Sequence, residues 1–121
     1  MKKVLIIEDD KEILDLLAKK IKESGYQVLV ARDGEEGLRF LREEKPDLVL
    51  LDIVLPSVDG LELMRRKQVL PETANIPVII ISNSGAASEI SQARHLGAKD
   101  WIIKTKFSLQ ESIEKIEKII Q

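Results

Sequence analysis

The sequence has no cysteine and very few aromatic residues. Without cysteine, disulfides, thiolate zinc sites and thiol catalysis are excluded, and the composition suits a reducing cytoplasm, where we expect the protein to be. Aromatic side chains make up only 3% of the 121 residues. The core must therefore be aliphatic, and the chain lacks the aromatic platforms on which nucleic-acid bases stack.

Long apolar runs and an excess of one charge are also missing. No run approaches the roughly 18 apolar residues of a membrane-spanning helix. The start Met1-Lys2-Lys3 resembles a secretory signal, but only four apolar residues follow before Glu8, which is too few. The 19 basic and 21 acidic residues are intermixed and leave a net charge of −2. We therefore expect no membrane association and no direct nucleic-acid binding.

Short apolar runs alternate with longer segments of helical periodicity. Strands are predicted at Val4–Ile7, Gln27–Val30, Leu48–Leu51, Val78–Ile81 and Trp101–Ile103. Helices are predicted over residues 11–24, 35–44, 60–70, 85–96 and 108–120. The first helix is expected to bury one apolar stripe, formed by Ile13, Leu16, Leu17 and Ile21.

Repeated strand–helix units predict an α/β fold with a parallel, doubly wound sheet and right-handed crossovers. Flavodoxin-like (βα)5 sheets have the strand order 2-1-3-4-5, which we expect here, and this order makes the first and third strands neighbours. Ligands of such sheets bind beyond the carboxyl ends of the strands. No linker or repeat interrupts the pattern, so residues 1–121 are expected to form a single domain.

Acidic side chains follow the first and third predicted strands. Glu8 and Asp9 come directly after one strand, and Asp52 comes directly after the other. If the two strands are neighbours, these carboxylates meet in one crevice, where like charges are costly unless a cation compensates them. Oxygen ligands of this kind suit Mg²⁺. Each acid taken singly can instead cap a helix.

Two further polar residues follow the remaining strands. Ser82 comes after the fourth strand and Lys104 after the fifth. A hydroxyl and an ammonium beside a metal and a carboxylate describe a site for phosphate. Asp52 is then a candidate nucleophile that forms an acyl phosphate, with Lys104 and Ser82 binding the phosphoryl oxygens. The combination favours a site over separate helix caps.

These residues resemble the receiver domain of two-component response regulators. The resemblance covers the whole chain and is carried by the segments Ile6–Asp10, Leu50–Gly60, Ile80–Ser82 and Gly97–Lys104. It implies that Asp52 accepts a phosphoryl group from the phosphohistidine of a sensor histidine kinase or phosphotransfer protein, or from a small phosphodonor. It also implies that Glu8, Asp9, Asp52 and the backbone carbonyl of Val54 hold Mg²⁺.

The resemblance further implies a conformational switch. Ser82 would engage the phosphoryl group, and Trp101, at the family's aromatic position three residues before the lysine, would reorient with it. The surface of the fourth predicted helix, the fifth strand and the fifth predicted helix would then change. Since no output domain is evident, we expect the protein to bind a separate effector or a second copy of the chain through this surface, or to pass the phosphoryl group along a relay.

Three positions depart from the family pattern. Thr105 replaces the usual proline after Lys104, Asn83 replaces the common alanine after the hydroxyl residue, and Trp101 is larger than the usual aromatic residue. The Lys104–Thr105 bond is expected either to be trans, with a changed loop, or to be a cis non-proline bond that costs about 3–4 kcal/mol. These departures motivate an alternative, a receiver-like interaction module that works without phosphorylation.

An enzymatic alternative is a phosphatase with an aspartate nucleophile. Such an enzyme requires a second acid two residues after the nucleophile, and Val54 stands there instead. We therefore expect a phosphoacceptor that catalyses only its own Mg²⁺-dependent phosphorylation and slow dephosphorylation. Because Val54 has no polar group to position water, the acyl phosphate is expected to be long-lived.

Overall fold

The computed structural model describes residues 1–83, 87–106 and 108–120. Its sheet comprises β1 (Lys3–Ile7), β2 (Gln27–Ala31), β3 (Leu48–Asp52), β4 (Val78–Ser82) and β5 (Asp100–Ile103). Neighbouring strands are parallel, and their order is β2-β1-β3-β4-β5. This order confirms the predicted flavodoxin-like fold.

Helices connect the strands. They are α1 (Lys11–Glu23), α2 (Gly34–Glu44), α3 (Gly60–Gln68), α4 (Pro71–Ala74), α5 (Ala87–His95) and α6 (Leu109–Ile120), and a 3-10 turn spans Lys104–Lys106. The fourth and fifth predicted helices thus correspond to α5 and α6. Residues 85 and 86, where the fourth helix was predicted to begin, lie outside the described residues. Within those residues, no helix is long and apolar enough to cross a membrane.

The prediction of a helix over residues 60–70 is wrong at its C-terminal end. The helix α3 stops at Gln68, and a separate short helix, α4, follows with Pro71 in its first turn. Proline is favoured there because its missing N–H group would have no helical partner and its backbone angle already suits a helix. The chain therefore turns between Gln68 and Pro71.

The sheet separates two aliphatic clusters. Helices α1 and α6 pack on one face against the first cluster, which includes Val4, Ile6, Leu48, Leu50, Ile79, Ile81 and Ile102. Helices α2, α3 and α5 pack on the other face against the second cluster, which includes Leu5, Ile7, Val49, Leu51, Val78, Ile80 and Trp101. Alternate strand residues thus point to opposite faces, as the pleat requires.

The stripe predicted for α1 is wrong at one position. Leu14, Leu17 and Ile21 are buried, whereas Leu16 is 47% exposed. Successive residues of a helix are rotated by about 100°, so Leu16 lies a quarter-turn away from Leu17 on the side opposite Leu14. Helix α1 therefore faces the sheet through a stripe displaced from the predicted one.

Aspartates cap the N-termini of α1, α2 and α3. Asp10, Asp33 and Asp59 each accept hydrogen bonds from backbone N–H groups in the first turns of α1, α2 and α3. Asp10 is therefore accounted for as a helix cap. The neighbouring acids Glu8 and Asp9 precede this cap, and they remain available for the site described below.

Candidate functional site

Three charged side chains meet at the carboxyl edge of the sheet. Glu8 follows β1, Asp52 ends β3, and Lys104 follows β5. Each comes two residues after a strand residue of the cluster under α1 and α6; these strand residues are Ile6, Leu50 and Ile102. Because side chains alternate along a strand, all three charged side chains are directed towards that face of the sheet. Strand β4 lies between β3 and β5, a gap of about 10 Å from β3 to β5 that a long lysine side chain bridges.

Lys104 forms the centre of this arrangement. Its Nζ lies 2.8 Å from Glu8 Oε1 and 2.9 Å from Asp52 Oδ2. The ammonium donates hydrogen bonds to Glu8 Oε2 at 3.1 Å and to Asp52 Oδ2 at 2.9 Å. The three side chains are only 9%, 0% and 4% exposed, for Lys104, Glu8 and Asp52 respectively. Water therefore screens these charges weakly.

The carboxylates also accept hydrogen bonds from nearby backbone. The Asp10 N–H donates to Glu8 Oε2 at 3.0 Å, and the Val54 N–H donates to Asp52 Oδ1 at 3.2 Å. Glu8 Oε1 is buried and has no hydrogen-bond donor among the described residues, although Lys104 Nζ is near it. One carboxylate oxygen of the site is thus left without a complete set of partners.

Asp9 completes a cluster suited to a cation. Glu8, Asp9 and Asp52 each offer an oxygen within 4.8 Å of the others. Lys104 compensates one of the three negative charges, which leaves the crevice electronegative. Asp9 is exposed, so water can complete the coordination. Hard oxygen donors, residual negative charge and a buried Glu8 Oε1 that only the Lys104 ammonium approaches together fit a hard divalent cation such as Mg²⁺.

The crowding of charges changes the pKa of two groups. Burial raises the pKa of Glu8 to about 7, and the nearby Asp52 carboxylate adds to this, against the hydrogen bonds from Lys104 and Asp10. Burial alone lowers the pKa of Lys104, but hydrogen bonds to Glu8 and Asp52 outweigh it, so that pKa is raised. Lys104 therefore stays positively charged within the crevice.

Ser82 ends the strand next to Asp52 and is 5% exposed. In the parallel pairing, Asp52 lies opposite Ile81 and Ser82 lies opposite Ile103. Ser82 therefore shares the sheet's carboxyl edge with the charged residues. It comes two residues after Ile80, which packs in the cluster under α2, α3 and α5, so the pleat assigns it to that face.

A family model decides the classification. The model described as the response regulator receiver domain matches residues 4–117. The chain belongs to this family. This receiver domain is similar to the alkaline phosphatase synthesis transcriptional regulatory protein PhoP of Bacillus subtilis, with 34% identity over 120 residues. The match covers 99% of this chain and 49% of that relative, so the chain spans about half the relative's length.

Solved structures agree on the fold. The receiver domain of the Francisella response regulator 1452 has a TM-score of 0.90 and 29% identity, covering 99% of this chain and 97% of that one. The receiver domain of the sensor histidine kinase PA1611 from Pseudomonas aeruginosa, described with a magnesium ion coordinated in its active site cleft, has a TM-score of 0.89. It is 21% identical and covers 98% of this chain and 97% of that one, which shows a shared fold.

The departures from the receiver pattern have definite structural outcomes. The described residues contain no cis peptide bond, so the Lys104–Thr105 bond is trans, the first of the two expected outcomes. The chain beyond β5 forms the 3-10 turn, and Lys104 still contacts Asp52. Val54 is 67% exposed and Asn83 is also exposed. Both side chains therefore face solvent.

Two arginine contacts in this receiver domain were not predicted from the sequence, one beside the site and one on α5. Arg32 Nη2 donates to the backbone carbonyl of Asp9 at 3.1 Å, which ties the chain after β2 to the loop after β1. The Arg94 guanidinium carbon lies 4.7 Å from the centre of the Trp101 ring. Arg32 had a usable signal, since it directly follows a strand that the predicted order places beside β1. Arg94 had none, because its contact depends on how α5 lies over β5.

Proposed function

We propose that this receiver domain, which we take to be a single cytoplasmic domain, is controlled by phosphorylation of Asp52. The observation that carries the proposal is the buried contact of Lys104 with Asp52 and Glu8, beside an acidic cluster that includes Asp9. Buried groups of like charge seldom serve only to stabilise a fold, and they are common at functional sites.

In the proposed reaction, a carboxylate oxygen of Asp52 attacks the phosphorus of a phosphohistidine on a sensor kinase or phosphotransfer protein. A P–O bond forms, and the P–N bond breaks with its electron pair on the imidazole nitrogen. The Lys104 ammonium moves its hydrogen bond from Asp52 to a phosphoryl oxygen, and the Ser82 hydroxyl donates to another. Acetyl phosphate would react in the same way with a carboxylate as leaving group.

Glu8, Asp9, Asp52 and the Val54 carbonyl are proposed to hold Mg²⁺, which supplies positive charge against the phosphoryl oxygens. The acidic cluster of Glu8, Asp9 and Asp52 and the magnesium described for the Pseudomonas receiver domain support this assignment. Lys104 provides the remaining cation. The reaction then depends mainly on positioning and on electrostatic stabilisation.

The proposed output is binding by the face of α5, β5 and α6. Ser82 and Trp101 would reorganise on phosphorylation, and this face would then recruit a separate effector or a second copy of the chain. Membranes and nucleic acids are not proposed as direct partners. The exposed, apolar Val54 supports a slow loss of the phosphoryl group, and Val54→Asn is expected to shorten its lifetime.

Intact-mass measurement tests the proposal. The protein is incubated with acetyl phosphate, with and without MgCl₂, beside an Asp52→Asn variant. The expected result is the gain of one phosphoryl group that requires magnesium and is absent from the variant. Absence of any gain in a folded protein would refute the proposal and favour the phosphorylation-independent interaction module.

A further inference from the structure

The contact between Arg94 and Trp101 joins two elements of the proposed output face. Arg94 lies in the last turn of α5, and Trp101 lies in β5. The guanidinium carbon is 4.7 Å from the ring centre, within the range of a favourable cation–π interaction. Among the described residues, the Arg94 side chain forms no ion pair or hydrogen bond, so the ring is its specific partner.

The backbone of Trp101 is held separately from its ring. The Trp101 N–H donates to Asp100 Oδ1 at 2.8 Å, and Lys115 Nζ on α6 donates to the Trp101 carbonyl at 2.5 Å. Lys115 also forms an ion pair with Asp100 at 3.3 Å. These contacts attach the backbone to α6, whereas Arg94 attaches the ring to α5. A movement of the ring therefore disturbs its contact with α5 and leaves the backbone contacts with α6 in place.

The side of the ring that faces α5 has little free space. The ring is partly buried and packs against the cluster beneath α2, α3 and α5. The cavity on this side is about 10 Å³, the lower limit for one water molecule, and is lined by Ile80, Ile90, Ala93, Arg94, Ala98, Asp100 and Trp101 itself. A second cavity that Trp101 lines, with Ile103 and Lys115 among its other residues, is about 180 Å³. Movement of the ring towards α5 therefore requires displacement of Arg94 or of α5.

The ring is also close in register to the hydroxyl proposed to bind phosphate. Trp101 lies opposite Ile80 in the β4–β5 pairing, and Ser82 is two residues further along β4. Because side chains alternate along a strand, Ser82 and the Trp101 ring are assigned to the same face of the sheet. Ser82 and the ring are therefore placed so that a change at one can reach the other along one face.

We propose that Arg94 is a positioning residue that holds the Trp101 ring against α5 in the unphosphorylated receiver and opposes the switch. The inference rests on the proposed function and identifies the contact that regulates it. If the stacking is lost in the phosphorylated arrangement, its removal shifts the equilibrium towards that arrangement by about 2- to 5-fold, the range of cation–π interactions at exposed positions such as that of Arg94. By linkage, a phosphoryl analogue then binds more tightly by the same factor.

Trp101 is the only tryptophan, so its fluorescence reports this contact directly. The variants are Arg94→Met, which removes the charge, and Arg94→Lys, which retains a cation. Arg39→Met is the matched control, because the Arg39 guanidinium carbon also lies 4.7 Å from a ring centre, that of Phe40 on α2. Unfolding by urea verifies that each variant is folded.

Two measurements are made on each protein. Acrylamide quenching of the unliganded protein measures access to the ring, and titration with beryllium fluoride in MgCl₂ measures the apparent affinity for a phosphoryl analogue. We expect Arg94→Met to raise the quenching constant about twofold and to tighten analogue binding by about 2- to 5-fold. Arg94→Lys should restore part of both values, and Arg39→Met should change neither.

The inference is overturned if Arg94→Met and Arg39→Met give the same quenching and the same analogue affinity while the wild-type protein binds the analogue. It is also overturned if quenching rises but affinity does not, because Arg94 would then only shield the ring. A wild-type protein that neither binds the analogue nor gains mass from acetyl phosphate would refute the proposed function, and the regulatory role of Arg94 with it.

Discussion

Replacement of Lys104 by methionine tests the electrostatics of the crevice most directly. Methionine keeps an unbranched side chain of similar length but removes the ammonium that lies 2.8 Å from Glu8 Oε1 and 2.9 Å from Asp52 Oδ2. Two buried carboxylates then lose their common cation. The expected result is a large decrease in the free energy of unfolding and an increased affinity for Mg²⁺.

The magnitude follows from the burial of the three groups. Their side chains are 9% exposed or less, so the discount for solvent screening that applies to surface ion pairs is small. Removing one partner of a buried ion pair typically costs about 3–5 kcal/mol, because the remaining charge has no compensation. We expect Lys104→Met to fall in this range, since it leaves Glu8 and Asp52 together.

The assay is urea unfolding at pH 7 with and without MgCl₂. If magnesium binds the folded site, as proposed, it stabilises the fold according to its affinity. Because Lys104 would then compete with the metal for the same carboxylates, magnesium should stabilise Lys104→Met more than the wild-type protein. Lys106→Met, an exposed position in the same 3-10 turn, is the matched control and should change stability little.

A double-mutant cycle sharpens this test. In an Asp52→Asn background one carboxylate is already neutral, so Lys104→Met should cost about 1–3 kcal/mol less than in the wild-type background. The reasoning is refuted if Lys104→Met costs no more than Lys106→Met. It is equally refuted if the losses of unfolding free energy from Asp52→Asn and Lys104→Met are additive in the double variant. Equal stabilisation of Lys104→Met and the wild-type protein by magnesium would also refute it.

Three further predictions concern residues outside this ion pair. Burial, with repulsion from Lys99, lowers the pKa of Lys67 from 10.5 to about 8. The unfolded chain then binds more protons between these values, so stability should rise by about 3 kcal/mol as pH increases from 8 to 10.5. A Cβ at Gly60 would lie 2.4 Å from the Asp52 carbonyl oxygen, so Gly60→Ala should destabilise the fold by about 2–3 kcal/mol in urea. Arg32→Gln removes a 3.1 Å hydrogen bond to the Asp9 carbonyl and should weaken Mg²⁺ binding about 3- to 10-fold by calorimetry.

Matched variants separate these effects from general damage. Lys67→Met should abolish the alkaline rise in stability, and an unchanged pH profile would contradict the lowered pKa. Gly25→Ala meets no atom within 4 Å and should cost less than Gly60→Ala, although its φ of +98° is unfavourable for alanine. Arg42→Gln, at an exposed position on α2, should leave Mg²⁺ affinity unchanged. Equal affinities in both arginine variants would contradict the role of Arg32.

The elements of the fold were predictable because local patterns decide them. Apolar runs separated by helical periodicity correctly indicated each strand within one or two residues, and the order 2-1-3-4-5 is confirmed. One error arose where tertiary packing chooses between locally similar options. Leu16 has the same spacing as its buried neighbours, but the rotation of α1 on the sheet exposes it. The break after Gln68, by contrast, has a local cause, because Pro71 begins a new short helix.

The candidate site was predictable as a set of residues but not as a set of contacts. The acids Glu8, Asp9 and Asp52 follow neighbouring strands, and a parallel sheet necessarily brings such ends together. The reach of Lys104 across β4, despite a threonine in the following position, could not be read from the chain. Its contacts depend on the trans turn that follows β5.

The sequence by itself thus determined the strands, the edge at which polar groups collect and the family to which the chain belongs. Strand ends, helix caps and apolar periodicity are local properties, and the direction of a parallel sheet converts them into one shared crevice. Only the tertiary structure decided which side chains touch. The contacts of Lys104 with Glu8, of Arg32 with Asp9 and of Arg94 with Trp101 each join separate elements, because their geometry depends on packing that no local pattern encodes.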